Sequence, residues 1–393
     1  MAANAINYVY HLVMGRVLGP EDYGVLASLY SILYLAGIVP ISASVSIVKF
    51  ISSAKEEDVY SVYSAIKKLV FRISITFLIL FSLFSPLISR FLKIEDVWSV
   101  ALIAPIIFLS LMALVNQASA QGFLKFSGTV VPTLISAVAK FSLGILLVLA
   151  GWSVFGAVFG IVIGMALAYF YSAWFIKKIL AERKAKKYDL GPFLKYGFPV
   201  LLQAFAFTSL FSTDVLLVKH FFDPFQAGIY GALSTLGKII FFATSPVTAT
   251  MFPIVSKRKS LGEGYHKVFL LAAGAIFAIS FAITLFYWLF PQIAIGMLYG
   301  SAYLSASREL VWMGVFMLFY SLANLLVNYS LSLGSPKIII FPLLGATAQI
   351  LLIWFWHESL LQVIQISFVI TVLTFLGSLF FLGYNRLLNT YDK

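Results

Sequence analysis

The chain has 393 residues, 61% of them apolar and only 11% charged, with a formal net charge of +12. A soluble domain carries roughly a quarter charged residues, so a water-soluble fold of this length has too little polar surface to cover the apolar content, and much of it must face lipid. The positive balance does not point to nucleic acid, because Lys and Arg cluster in short runs between apolar segments, and the lack of Cys excludes disulfides, thiolate metal sites and Cys nucleophiles.

A spanning helix needs about 20 mostly apolar residues. That length predicts helices at 2–18, 22–47, 66–90, 97–120, 128–150, 153–176, 193–218, 225–252, 265–290, 303–331, 336–356 and 359–384. The expectation is an all-α integral membrane protein of about twelve transmembrane helices. The first stretch, Met1 to Leu18, lacks a small-residue cleavage site and reads as a short or clipped first helix, not a cleaved signal peptide. Gly19-Pro20 and Asp223-Pro224 break helices, because proline lacks the N–H and clashes with the preceding turn. Gly151, Gly191-Pro192 and Ser335-Pro336 mark further turns.

The longest polar stretch runs from Lys177 to Lys195. It divides the chain into an N-terminal six-helix lobe (1–180), a basic cytoplasmic linker (181–192) and a C-terminal six-helix lobe (193–393). With both termini in the cytoplasm, Lys55, Lys67, Lys68, Lys177, Lys178, Arg183, Lys184, Lys186, Lys187, Lys257, Arg258, Lys259 and Lys267 fall inside. Only Arg16, Arg90, Lys93, Lys219 and Arg308 fall in the opposite loops. Once the remaining cytoplasmic-side cations are counted the bias is roughly four to one, a positive-inside signal for a multi-pass protein of the cell membrane.

The halves also match each other. The run from Leu18 to Leu29 lines up with Phe222 to Leu233, and Asn116, Gly122 and Lys125 pair with Asn328, Gly334 and Lys337 at a similar offset. Equal orientation of the repeats implies two lobes related by a pseudo-two-fold axis along the membrane normal, with a cavity between them.

Gly15-Arg16-Val17-Leu18-Gly19-Pro20-Glu21-Asp22-Tyr23-Gly24 resembles the opening signature of the Wzx-like polysaccharide-biosynthesis flippases. These form the oligosaccharidyl-lipid/polysaccharide branch of a superfamily of multidrug exporters. Gly228-Ile229-Tyr230 echoes the signature in the second half, and Leu298-Tyr299-Gly300-Ser301-Ala302-Tyr303 resembles that family's turn before the tenth helix. The resemblance extends over nearly the whole chain in segment count and loop placement. It departs at the short first segment, which lacks the expected lead-in before Arg16. It implies a MATE-like two-lobed fold, and movement of a polyprenyl-linked, pyrophosphate-bearing oligosaccharide between leaflets.

Charges inside spanning segments are the most informative positions, because each costs several kcal/mol unless it faces protein or water. Lys140 lies about 15 Å along its helix, near the midplane, and Lys238 is comparably deep. Two readings stand for each: a cationic cavity that attracts a phosphate-bearing head group, or a structural contact with a carbonyl or acid. Arg16 has the geometry to grip phosphate oxygens bidentately, to cap a helix C-terminus, or to pair with Glu21 or Asp22. Lys49 ends the second helix as an interfacial anchor or as part of the inner mouth. Arg308 beside Glu309 is expected to form an outer-surface ion pair. Asp214, the one acid well inside a segment, is expected to bind a coupling ion or to pair with Lys219 or Lys238. The acids of the N-terminal half fall in predicted loops, so embedded charge is mainly positive and the cargo should be anionic.

His11, His220, His266 and His357 are scattered without metal-ligand spacing. Neither a P-loop lysine motif nor a nucleotide-binding domain is present. Gly160 and Gly164 form a small-xxx-small pair suited to close helix packing. The expected protein is therefore a non-enzymatic flippase without a cofactor or catalytic residues. Its partners are lipid-linked oligosaccharide, membrane lipids and, on the assembly side, polymerase or glycosyltransferase machinery. The rivals are a cation-coupled drug or metabolite antiporter of the same fold, a membrane-embedded glycosyltransferase and a non-transporting scaffold.

Overall fold

The computed structural model describes residues 2–55, 57–180 and 188–391, and their regular structure is helical throughout. The reason is the solvent. Hydrocarbon offers no partner to a backbone N–H or C=O, so a spanning segment must satisfy them within itself.

The first helical stretch, Ala2–Ala36, is a hairpin of α1 (2–18) and α2 (20–36). The arms meet at Gly19, whose φ of 74° lies in the left-handed region open to glycine, and Pro20 begins α2. Along one straight helix Tyr10 and Tyr30 would stand about 30 Å apart; their ring centroids lie 6.2 Å apart. At Gly37 the N–H still donates to the Leu33 carbonyl (2.8 Å), and the chain runs on into α3 (Ile38–Ser53). Then come α4 (Val59–Phe91), α5 (Val97–Ala101), capped by the Asp96 carboxylate, and α6 (Ile103–Gly122). A second hairpin joins α7 (Ser127–Leu147) to α8 (Ser153–Ile179). Its turn carries Gly151 at φ 90° and Ser153 at φ 40°, and the Ser153 hydroxyl donates to Asp22 at the start of α2.

The second half contains α9 (Gly191–Phe221), α10 (Pro224–Ser260), α11 (His266–Leu289), α12 (Pro291–Leu298), α13 (Leu310–Ser332), α14 (Ile340–Phe355) and α15 (Leu360–Tyr391). Asp223 caps α10 by accepting from the Gln226 N–H, and Pro224 opens it. The helix break at Asp223-Pro224 thus stands where Gly19-Pro20 stands in the first half.

Among the described residues nine helical stretches are long and apolar enough to cross a membrane. One of them covers both arms of α7–α8, and the α1–α2 hairpin lies outside the nine, so the total agrees with the about twelve expected. Helix ends differ more. α4 starts at Val59 instead of 66, and α10 runs to Ser260 instead of 252, because helical hydrogen bonding continues past the hydrocarbon into the polar interface. The tenth helix, expected from 303, begins at Leu310 as α13; the 3₁₀ turn Ser301–Ala306 stands at its expected start, and α12 occupies the stretch expected to join it to the ninth. Gly300 at φ 94° turns the chain there, with Tyr299 and Tyr303 buried on either side.

The chain forms two compact units, Met1–Ala204 and Phe205–Lys393. The division falls within α9, because the start of that helix packs on the first unit, with Phe193 edge-on to Phe50 of α3. The basic run 181–187 lies outside the described residues. Each unit has its own core. α6 lines the centre of the first with Ile103, Ala104, Leu111 and Val115, and α13 is two-thirds buried in the second. Met251, Val255, Ala272, Ile276, Leu325 and Tyr329 knit α10, α11 and α13 together.

The closest helix pairing is α7 against α8. A Cβ on Gly160 would lie 2.7 Å from the Gly144 Cα, and one on Gly164 would lie 2.7 Å from the Ser136 carbonyl oxygen. The backbones touch, as the Gly160/Gly164 spacing implied. Gly160→Ala should therefore lower the thermal midpoint of the solubilised protein, by the equivalent of about 1–3 kcal/mol of overpacking. Gly274→Ala on α11, where nothing lies within 4 Å of the added methyl, should leave it unchanged or slightly higher. Equal effects of the two would contradict the contact.

Candidate functional site

In the first unit the close approach of α7 and α8 surrounds Lys140. This residue is 7% exposed, and its backbone carbonyl lies 3.4 Å from where a Gly160 Cβ would stand. Its ammonium sits 4.6 Å from the ring centroid of Tyr10 and 5.6 Å from that of Tyr30. Both rings therefore fall within cation–π range. The Tyr10 hydroxyl donates to the Ala157 carbonyl (3.1 Å), which pins that ring against Gly144, where a Cβ would be 3.1 Å away. His11 packs edge-on to Tyr30 at 4.3 Å. No carboxylate pairs with Lys140 among the described residues. The buried Tyr30 hydroxyl makes no well-formed hydrogen bond there either. An ammonium at a helix centre costs about 3 kcal/mol on insertion scales, and desolvated cation–π contacts return about 2 kcal/mol each. The rings therefore hold the charge without an acid to neutralise it.

The second unit solves the same problem differently. Asp214 of α9 is fully buried, and its Oδ2 accepts from the Tyr230 hydroxyl at 2.7 Å. Lys238 of α10 is close enough to attract it electrostatically, and its ammonium also lies 4.5 Å from the Phe211 ring. Gln349 of α14 donates to the Leu210 carbonyl (3.3 Å) and to Ser367 Oγ (2.8 Å), so polar side chains from α9, α10, α14 and α15 converge. The repeat that aligns Leu18 with Phe222 also aligns Tyr10 with Asp214 and Tyr34 with Lys238. Equivalent stations thus carry an aromatic cradle in one unit and an acid within electrostatic reach of a lysine in the other.

The remaining residues singled out in the sequence lie elsewhere. Arg16 is exposed near the end of α1, about 9 Å along the helix from Tyr10. Lys49 is exposed in the last turns of α3. Arg308 is exposed just before α13, and Glu309 is half-buried. Lys219, counted as a loop cation, is buried in the last turn of α9. Glu21 and Asp22, expected in a loop, begin α2. Sequence reasoning missed the tyrosines around Lys140. Their signal was available: Tyr23, Tyr30 and Tyr34 recur at helical spacing on one face of α2. It also missed Gln349, a lone amide in an apolar helix. Among the described residues no group of His, Cys, Asp or Glu is arranged to hold a metal ion.

With this geometry in place, the likeness to known proteins can be stated. Residues 13–308 match the family model described as polysaccharide biosynthesis protein. An uncharacterized membrane protein of Methanocaldococcus jannaschii is 24% identical over 374 residues, covering 88% of this chain and 85% of its own. Among solved structures, an inward-facing multidrug resistance MATE family transporter of the MOP superfamily gives a TM-score of 0.81 at 14% identity, over 98% of this chain and 94% of that one. The lipid II flippase MurJ in an inward closed conformation gives 0.75 at 16% identity, over 97% and 87%. A MOP superfamily transporter from Pyrococcus furiosus, described by the reverse polarity of its binding pocket, gives 0.68 at 16% identity, over 98% and 92%. The fold is therefore MATE-like, shared with transporters and flippases.

The Asp214–Lys238 pair has a measurable consequence. Asp214→Asn leaves the Lys238 ammonium buried without its acid and should destabilise the protein by about 3–5 kcal/mol. The double variant Asp214→Asn with Lys238→Met should recover most of that loss in a thermal or denaturant titration. Additive losses would mean that the two charges do not depend on each other.

Proposed function

The chain belongs to the polysaccharide biosynthesis protein family, and from that premise we propose that it is a flippase for polyprenyl-pyrophosphate-linked oligosaccharide. It moves its cargo across the cytoplasmic membrane by alternating access, for cell-surface polysaccharide or glycan assembly. The observation that carries this reading is Lys140, a membrane-buried cation held by tyrosine faces with no carboxylate beside it among the described residues. Such a charge attracts an anion strongly at reduced dielectric. A pyrophosphate supplies acceptor oxygens for the ammonium and for the Tyr30 hydroxyl, which makes no well-formed hydrogen bond among the described residues. Because Lys140 is buried, the cargo reaches it only when the Tyr10 and Tyr30 rings move aside. The polyprenyl tail stays in lipid throughout.

Asp214 argues against the rival antiporter. An exporter of cationic drugs needs an embedded carboxylate to receive its cargo, and here the charge of Asp214 is met by Lys238. Arg16 and Lys49, both exposed, serve in this reading as outer and inner contacts for the head group. Lys238 serves by setting the charge of the second unit.

Two experiments test the reading. In vesicles loaded with a defined pyrophosphate-linked glycolipid, Lys140→Glu should slow leaflet exchange at least tenfold, the equivalent of about 1.4 kcal/mol. Lys140→Arg should retain part of the rate. Unchanged exchange in Lys140→Glu would remove the cationic site. For orientation, the Cys-free chain accepts single cysteines cleanly. A cysteine at Ser260, beside Lys257, Arg258 and Lys259, should react with an impermeant thiol reagent from the cytoplasmic side only, and one at Glu95 from the outer side only. The reverse pattern would overturn the cytoplasmic placement of the termini.

A further inference from the structure

A second basic site lies on the flank of the first unit, apart from Lys140. A pocket of about 620 Å³ opens between α4, α6 and α8. It is within the size range of ligand sites. Its cations are the adjacent Lys67 and Lys68 of α4 and Arg72 one turn further on, with Lys177 from the end of α8. Neither Asp nor Glu is among the residues that line it. Lys67 is steadied over the Tyr63 ring at 5.5 Å, and the Tyr63 hydroxyl is committed to Asn116 Oδ1 at 2.8 Å, so the wall beneath the cations is rigid. Four like charges converging on one concavity repel each other, and an anion in their midst relieves that repulsion.

The surface that continues from this pocket is apolar and lipid-facing. Only 11% of the spanning window of α4 is buried. Arg72, Ile79 and Leu83 share one face of that helix at near-heptad spacing, and Ile79 and Leu83 are 53% and 71% exposed. From Arg72 to Leu83 is about 16 Å along the axis, close to half of the roughly 30 Å hydrocarbon thickness. Beside it, Trp174 and Phe170 of α8 are exposed, and Lys178 lies 5.5 Å from the Trp174 ring, an arrangement typical of the membrane interface. A cation-lined pocket and an acyl-length apolar stripe are thus joined on one surface.

We propose that this pocket binds an anionic phospholipid of the surrounding bilayer, with its phosphate among Lys67, Lys68, Arg72 and Lys177 and its acyl chains along α4. The inference stands apart from the flippase reading, because it concerns a resident lipid on the outside of the bundle. The Lys and Arg ends also suit this ligand chemically: Arg72 offers a planar fork to phosphate oxygens, and the lysines add point charge.

The test uses the full purified chain. Wild type in nanodiscs or detergent should keep anionic lipid through delipidation, as read by native mass spectrometry. Added phosphatidylglycerol should raise its melting temperature by several degrees, and phosphatidylcholine should not. The variant carrying Lys67→Gln, Lys68→Gln, Arg72→Gln and Lys177→Gln should bind phosphatidylglycerol at least tenfold more weakly. A variant carrying Lys257→Gln, Arg258→Gln and Lys259→Gln, which removes as dense a cluster at the end of α10, should bind it normally. Equal retention in the two variants overturns the proposal. Protection of wild type by glycerol phosphate or pyrophosphate alone, at millimolar concentration, overturns the lipid assignment in favour of a soluble anion. Should the quadruple variant fail to fold, a photoactivatable phosphatidic acid decides on wild type: labelling confined to peptides 60–83 and 170–180 and to the peptide around Met112 supports the site, and labelling elsewhere overturns it. Lys140→Glu should leave this lipid binding intact, so loss of transport and loss of the lipid site are read separately.

Discussion

The constraint behind the whole molecule is that hydrocarbon can neither hydrogen-bond the backbone nor solvate a charge. Helices answer the first demand, and bundling answers the second by giving polar side chains an interior. Both units follow that logic. Serines and threonines return their hydroxyls to carbonyls three or four residues back, as Ser28, Thr244 and Thr284 do. Tyrosines reach further and tie one helix to another: Tyr10 to Ala157, Tyr287 to Leu236 and Tyr320 to Phe207. A phenol buries a large ring yet keeps one polar atom to spend on a partner.

Against that background the two buried lysines are informative by contrast. Lys238 lies near an acid and a phenylalanine face, a combination that closes its electrostatics within the unit. The Lys140 ammonium lies against the Tyr10 and Tyr30 rings, with no carboxylate beside it among the described residues. The difference arises at aligned stations of a duplicated architecture, where Tyr10 stands opposite Asp214 in the repeat. A duplicated backbone frees each copy to carry its own charge pattern, because helix packing depends on shape at Gly144 and Gly160 and not on the polarity of the neighbouring ring. The aromatic cradle holds the ammonium in place without cancelling it. That is the property a reversible anion site requires.

The glycines show how little freedom such packing leaves. Gly144 accepts both the Tyr10 ring and the backbone of α8 at Gly160, so one position supports the helix contact and the cradle together. The reversal at Gly19 then brings the Tyr10 and Tyr30 rings together across the α1–α2 hairpin, tilted 57° to each other. Backbone turn, helix contact and lysine environment are consequently linked, although Gly19 lies more than a hundred residues from Lys140 and Gly144.

Segment count, hairpin positions and the duplicated halves were legible in the chain because hydropathy, glycine and proline act locally. A run such as Leu310–Ser332 reports its own burial in lipid, and Gly19-Pro20 reports its own turn. That Lys140, Lys238 and Asp214 fall inside apolar helices was legible for the same reason, since position is counted along one helix, and all three are buried. What surrounds them was not. Whether Lys140 meets an acid or a ring depends on Tyr10 and Tyr30, far away in sequence, and the basic pocket draws Lys177 to Lys67 across a comparable gap. Sequence alone establishes a helical membrane protein and places cations many residues inside its apolar helices, because one-dimensional hydropathy and helix rise suffice for that. Only the tertiary structure decided which of those cations is neutralised, because Coulomb and cation–π energies fall off over a few ångströms that only packing brings together.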